Sequence, residues 1–126
     1  MSERVRLEFF PDGSEACPLL CIRDFSAQEV AALRNAALEL ADGVSAFVRL
    51  EDRVTLASDT RLHMRVGKRN EGLRQAPQAF ELVLTPLEWS QVEGLLEPFL
   101  EERPHGSQRL DEHGEIALLI SRDGSW

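Results

Sequence analysis

The stretch FELVLTPLE, residues 80–88, constrains the fold more than any other, because it fixes the point at which a strand hands over to a helix. Thr85 is a good N-cap, and Pro86 suits the first helical turn, where its missing N–H would be unpaired anyway. Glu88 stands where its carboxylate can return a bond to the Thr85 N–H, which makes TPLE a capping box, and Leu84 and Trp89 are spaced as the hydrophobic staple around it. Beyond it, Trp89, Val92, Leu95, Leu96, Phe99 and Leu100 recur at helical spacing, with Glu93, Glu97, Glu101 and Glu102 outside or at the end. Pro98 would cost the bond to the Gly94 carbonyl, so a kink, or a helix end near Glu97, is expected.

The same construction stands 59 residues earlier. Ser26 and Glu29 form a second capping box, Phe25 and Val30 its staple, and Val30, Leu33, Ala37 and Leu40 an apolar stripe that runs to the Asp42-Gly43 stop. Strand patterns flank both helices. Residues 5–10 and 17–22 read as a hairpin about a turn at 11–14, with Pro18 placing the second strand at a sheet edge unless pairing begins after it. Residues 46–50 read as a strand whose hairpin mate is 54–57; 61–66 is another, 80–84 another, and 116–121 a fully buried one. Residues 67–78 and 103–114 read as loops, the first the most mobile. The expectation is one α+β domain over 1–126: a mixed or mainly antiparallel sheet of about five to seven strands, with helices over 27–41 and 86–97 packed on it as two ββαβ-like halves. The match between halves is one of pattern and hardly of identity, which any two capped amphipathic helices would show.

A chain of 126 residues can bury about two-thirds of the surface its unfolded form exposes, enough for a real core. No run approaches the length of a membrane span, and the charged start MSERVRLEFF lacks the apolar centre of a secretion signal, so a cytoplasmic protein is expected. Net charge is −8. Such a field repels polyphosphate and disfavours broad nucleic-acid binding while favouring a basic protein partner. The bases are not spread evenly: Arg61, Arg65, Lys68, Arg69 and Arg74 fall between residues 60 and 74 against the single acid Glu71.

Cys17 and Cys21, if both lie on one strand, are roughly 13 Å apart, beyond the reach of a disulfide, and are expected as free thiols. Their C-x3-C spacing is not the C-x2-C of a structural zinc site, and His105, His113, Asp111 and Glu112 share a loop where histidines are usually solvated, so no metal or other cofactor is expected. No G-x-S-x-G elbow, phosphate loop or dinucleotide fingerprint is present. Cys21 between Leu20 and Ile22 reads as a core residue. Acid–base work by Asp111 and Glu112 with His113 is disfavoured because chain neighbours seldom converge on one atom. No motif names a reaction.

The site-like feature is the basic strand. A period of two puts Leu62, Met64 and Val66 on one face and Arg61, His63 and Arg65 on the other, followed by Lys68, Arg69 and Arg74. The competing reading is cross-strand pairing with acids such as Glu81 or Glu8. Trp126 is the remaining oddity, either clamped onto the core or held out to a partner. Together these features point to a non-enzymatic interaction protein of inhibitor, immunity or regulatory type, acidic in surface, with the helix acids Glu93, Glu97, Glu101 and Glu102 as contacts. Two alternatives stand beside it: a small-molecule or anion binder, enzymatic or not, built on Arg61, His63 and Arg65, and a structural subunit that forms a homodimer or larger homo-oligomer through an uncovered sheet face or edge.

Overall fold

In the computed structural model, which describes residues 5–14, 17–57, 59–100 and 107–121, both helices form where their caps place them. Helix α1 spans Ala27–Asp42 and α2 spans Pro86–Leu96. Ser26 closes the full reciprocal box with Glu29, and Gly43 ends α1 in the left-handed conformation. At α2 the box is only half made. The Thr85 hydroxyl accepts from the Glu88 N–H, but the Thr85 N–H donates to Asn70 Oδ1 at 2.9 Å instead of to Glu88. Pro98 acts as expected: α2 stops at Leu96 and a 3-10 turn, Glu97–Leu100, follows.

Among the described residues there are eight strands: β1 (Arg6–Ser14), β2 (Cys17–Arg23), β3 (Phe47–Arg49), β4 (Leu62–Val66), β5 (Gly72–Gln75), β6 (Phe80–Leu84), β7 (Ser107–Asp111) and β8 (Ala117–Ser121). The α+β class and the mixed pairing are those expected; the strands number eight, and they form two sheets of four, ordered β1-β2-β8-β7 and β3-β4-β6-β5. Each half of the chain is therefore a ββαββ unit, with one strand more than the pattern suggested. The halves exchange hairpins. The first sheet joins the opening hairpin of the first half to the closing hairpin of the second; the second sheet joins the other two. In both, the central pair is parallel, β2 with β8 and β4 with β6, and the outer pairs are antiparallel.

Several local expectations are corrected. Residues 11–14 are not simply a turn: β1 continues to Ser14, which pairs with Cys17 after a register shift beyond Phe10 that absorbs the extra residues. Pro18 lies in an interior strand, and of its two expected placements the second holds on the β8 side, where the ladder begins after it at Leu19. The mate of β3 is β4, not 54–57. After β3 the chain turns through a 3-10 segment, Leu50–Asp52, and its backbone then bonds Val5 through Thr55 and Ala57. Strands β5 and β7 lie within segments expected as loops. Both are edge strands with few inward apolar side chains, and their pairing comes from the ladder with β6 and β8 rather than from their own pattern.

One main core collects the inward faces of both sheets and the stripes of both helices, including Leu20, Ile22, Leu40, Met64, Leu82, Leu96, Leu118 and Ile120. The ring of Phe9 on β1 meets that of Phe80 on β6 at 5.0 Å, and Phe25 meets Phe99 at 6.0 Å. The second contact sets the start of α1 beside the end of α2, and Arg34 bonds Glu93 at 2.6 Å between the helices, so the two run antiparallel. Trp89 is buried, and its indole N–H donates to the Arg65 carbonyl at 3.0 Å, joining α2 to β4. The C-terminal half of α1 is fixed by Glu39, which accepts two bonds from Arg53 and one from Ser45. Those bonds, Arg53's first, hold its carboxyl down at about 2. Cys21 is a buried free thiol whose burial pushes it up to about 11, as befits a core residue; the side chain of Cys17 lies outside the described residues. No described helix is long and apolar enough to cross a membrane.

The two sheets also touch through single bridges, Val5 with Leu56 and Leu73 with Ile116. At the second, Gly72 has φ +84°, and a Cβ there would lie 2.0 Å from the Gly114 nitrogen. Gly94, exposed within α2, has nothing near its Cβ position. The two glycines should respond oppositely in denaturant titrations: Gly94→Ala should gain roughly 0.5–1 kcal/mol from helix propensity, while Gly72→Ala should lose stability by separating β5 from the turn before β8. A stable Gly72→Ala protein would show that this close approach is absent in solution.

Candidate functional site

The outward face of the second sheet is set by register. One row across it reads Arg49, His63, Glu81, Arg74, and the next Phe47, Arg65, Val83, Gly72. Leu62 and Met64 turn into the core while His63 and Arg65 turn out, as the alternation on this strand requires. The structure thus brings His63, Arg65 and Arg74 together, and adds Arg49 and Phe47.

Glu81 is the hub of this face. Its carboxylate accepts from Arg74 at 2.8 Å and stands 3.6 Å from Arg65. The Glu81 bond holds the Arg74 guanidinium above its usual value, with Glu71 adding a weaker attraction. His63 Nε2 lies 3.7 Å from Glu51, and Arg49 bonds Asp52 at 3.1 Å. The cations of the strand face are therefore matched by carboxylates of the protein itself, as the cross-strand reading requires. Glu8 is engaged elsewhere, by Arg23 at 2.8 Å. Arg61 precedes β4 and reaches the Thr60 carbonyl at 3.4 Å.

Phe47 is the residue that sequence reasoning passed over. Its ring is 41% exposed, yet it is held in place: His63 meets it edge-on at 5.3 Å, and the Arg65 guanidinium lies 5.2 Å from its centroid. At an exposed position such a cation–π contact contributes about 0.5–1 kcal/mol. The signal was present in the alternation of residues 46–50, which places Phe47 on the face of Arg49 and opposite Val48.

Lys68 and Arg69 stand apart from the sheet face, exposed on the turn between β4 and β5. That turn is anchored, contrary to its reading as the most mobile loop. The Gly67 N–H donates to the Leu84 carbonyl at 3.0 Å, and Asn70 Oδ1 accepts from both the N–H and the hydroxyl of Thr85. Trp126, His105, Glu101 and Glu102 lie outside the described residues.

Asp111 and His113 bond to each other. The ladder of β7 with β8 skips a residue between Arg109 and Asp111, and this bulge leaves both Leu110 and Asp111 buried. Asp111 Oδ1 lies 2.5 Å from His113 Nδ1, and Oδ2 accepts from the His113 backbone N–H at 3.2 Å. The carboxylate thereby closes the turn before β8 and holds the imidazolium above its ordinary value, with smaller contributions from Glu88 and Glu112 against the effect of burial. Both bonds are local and serve the turn. A cavity of about 10 Å³, the room of a single water-sized sphere, lies on the core side among Val5, Phe25, Leu33, Leu50 and Ile120, away from this pair and from the open sheet face.

Comparison with protein-family models, curated proteins and solved structures finds no match to this chain.

Because His113 binds its proton more tightly when folded, its stabilising contribution is complete below the ordinary value of 6.5 and is lost as pH rises through its own higher one. An NMR titration of the His113 ring should place its midpoint above 6.5, and Asp111→Asn should bring it down. A wild-type midpoint at or below the ordinary value would contradict the pair.

Proposed function

We propose that this chain is a small, soluble, cytoplasmic, non-enzymatic protein-interaction module of inhibitor, immunity or regulatory type, and that its contact surface is the open face of the second sheet around Phe47. The observation that carries the proposal is the arrangement of Phe47, His63 and Arg65: an exposed aromatic ring on a paired strand, restrained from two sides. Aromatic and arginine side chains dominate binding energy in protein interfaces, and restraint before binding lowers the entropy lost on it.

Two other placements are less well supported. The acidic face of α2 keeps Glu97 exposed, but Glu93 is committed to Arg34 and is only 19% exposed at its side chain. An anion site on Arg61, His63 and Arg65 would need cationic charge to spare, whereas Glu81 and Glu51 already stand against Arg65, Arg74 and His63. The net charge of −8 favours the long-range approach of a basic partner, whose encounter should weaken in salt.

The test is capture of partners from a lysate of the source cells by the tagged wild-type protein and by a Phe47→Ser, Arg65→Glu variant. The variant gives up the Phe47–Arg65 contact and places a carboxylate near Glu81, so it should lose roughly 1 kcal/mol and melt a few degrees below wild type, and capture is run at a temperature where both proteins are folded. A specific partner retained by wild type should be lost roughly tenfold or more from the variant. Equal retention by the two folded proteins would remove this face from the binding surface.

A further inference from the structure

An open sheet ends in strands with unpaired backbone groups, which a native fold has to protect or use. Three of the four outer strands are protected. Val5, next to β1, exchanges bonds with Thr55 and Ala57, and Leu73 of β5 bridges to Ile116. Strand β7 is bent by its bulge between Arg109 and Asp111, which spoils it as a template for a further strand. The fourth, β3, is short, but its ladder has no register shift. The phase of that ladder decides which groups it leaves over. In an antiparallel pair alternate residues bond the neighbour, and the others turn their N–H and C=O away from it. The Ala46 carbonyl accepts from the Val66 N–H, so Ala46 and Val48 bond β4 while Phe47 and Arg49 face the open side. The Arg49 carbonyl starts the 3-10 segment Leu50–Asp52, as the carbonyl of an N-cap residue does. The Phe47 N–H, the Phe47 carbonyl and the Arg49 N–H are left without a partner among the described residues, in line along the edge beside the exposed Phe47 ring.

The chain that carries this edge is acidic. Between residues 39 and 53 it holds Glu39, Asp42, Glu51 and Asp52 against Arg49 and Arg53. Arg53 matches Glu39 and Arg49 matches Asp52. Among the described residues Asp42 forms no ion pair, and Glu51 meets only His63, at 3.7 Å. With a net charge of −8 over the whole chain, the complement of this edge is basic. A second copy of the chain would bring the same acids and the same net charge, and is disfavoured on that ground.

We infer that the open edge of β3 binds an extended, basic segment of a protein partner as a fifth strand of the second sheet. The segment's backbone pairs with Phe47 and Arg49, a side chain on its outward side covers the Phe47 ring, and its lysines or arginines meet Asp42 and Glu51, the acids that flank the strand in the chain. The inference rests on the interaction reading of the preceding subsection and specifies how the partner binds and what charge it carries. In strand addition the main-chain bonds give affinity and alternate side chains give specificity.

The probe is a random peptide library displayed on phage and selected on the whole 126-residue chain, and the selected peptides should be net basic. On binding one of them, the Phe47 and Arg49 amides of the wild-type protein should exchange roughly tenfold more slowly or better, because they gain partners, while the Val48 amide, already bonded to β4, changes less. Arg49→Pro removes an edge donor and obstructs an added strand, yet spares the ladder to β4, and the φ of −93° at this residue is near the range of a proline ring. Affinity should fall roughly tenfold or more for Arg49→Pro, and hold or rise for Arg49→Ala, which keeps the edge N–H and frees Asp52. Should Arg49→Pro fail to fold, the exchange of the wild-type amides decides alone. Peptides without a basic bias, failure to enrich any peptide, unchanged exchange at Phe47 and Arg49, or a folded Arg49→Pro protein that binds as wild type would overturn the inference. So would concentration-dependent dimers that protect the same two amides, which would assign the edge to a second copy. If a lysate partner is lost from the Phe47→Ser, Arg65→Glu variant but binds Arg49→Pro as wild type, the interaction reading stands and strand addition falls. If that partner is retained by the Phe47→Ser, Arg65→Glu variant, the interaction reading itself fails.

Discussion

Neither half of this chain can complete a sheet by itself. The central ladders, Leu19 to Ile22 against Ala117 to Ile120 and Leu62 to Val66 against Phe80 to Leu84, are each made between a strand of the first half and a strand of the second. Parallel strands at the centre of a sheet are covered on both sides and read as continuous apolar runs, and β2 and β8 do so at LLCI and ALLI. Their side chains are almost wholly buried, so separating the halves would expose both sheet centres at once. The α1–α2 packing and the Phe9–Phe80 contact also join the two halves, whereas the single bridges, Val5 with Leu56 and Leu73 with Ile116, each tie the two sheets together within one half.

The two sheets have the same strand order by pseudo-two-fold equivalence, yet their outward faces differ in chemistry. On the first, Leu19, Cys21, Ala117 and Leu119 form a buried apolar cluster with Phe10 against it. On the second, arginines, His63, Glu81 and Phe47 stand at the surface. Topology therefore does not distinguish the two faces; side-chain chemistry does, and it is the ground for the proposed contact surface. The arginines of these ion pairs are about half exposed, while Glu81 is only 13% exposed at its side chain. Their consequence is geometric. Glu81 bonds Arg74 and stands beside Arg65, while Arg65 and His63 flank Phe47, so the proposed contact surface would be ordered before a partner arrived.

The sequence was readable wherever the determinant is local. Ser26 with Glu29, the stripe of α1, the stop at Pro98 and the buried run of β8 are each set by residues within a few positions of one another. Determinants that act across the chain were not. Asn70 takes the Thr85 N–H from 15 residues away and displaces Glu88 from its box. The strand β5 contributes Leu73 as its inward apolar side chain and β7 contributes Leu110, so neither carries a periodic pattern, and each exists because its neighbour offers an unpaired edge. For the site, alternation alone placed His63 and Arg65 outward, but the charge balance around Glu81 required the register of β4, β5 and β6. The burial of Asp111 required a bulge that no local signal marks, and Phe47 was readable from alternation but was eclipsed by the charges around it.

If the exchanged hairpins are what hold the protein together, the amides at the sheet centres cannot open one half at a time. Native-state hydrogen exchange measures this directly. Amides of β2, β8, β4 and β6 should exchange with one common free energy, equal to that of global unfolding from denaturant titration, while amides of the edge strands β3 and β7 exchange more readily. A protein in which one of the two sheets opens at clearly lower free energy while the other stays protected would contradict the account.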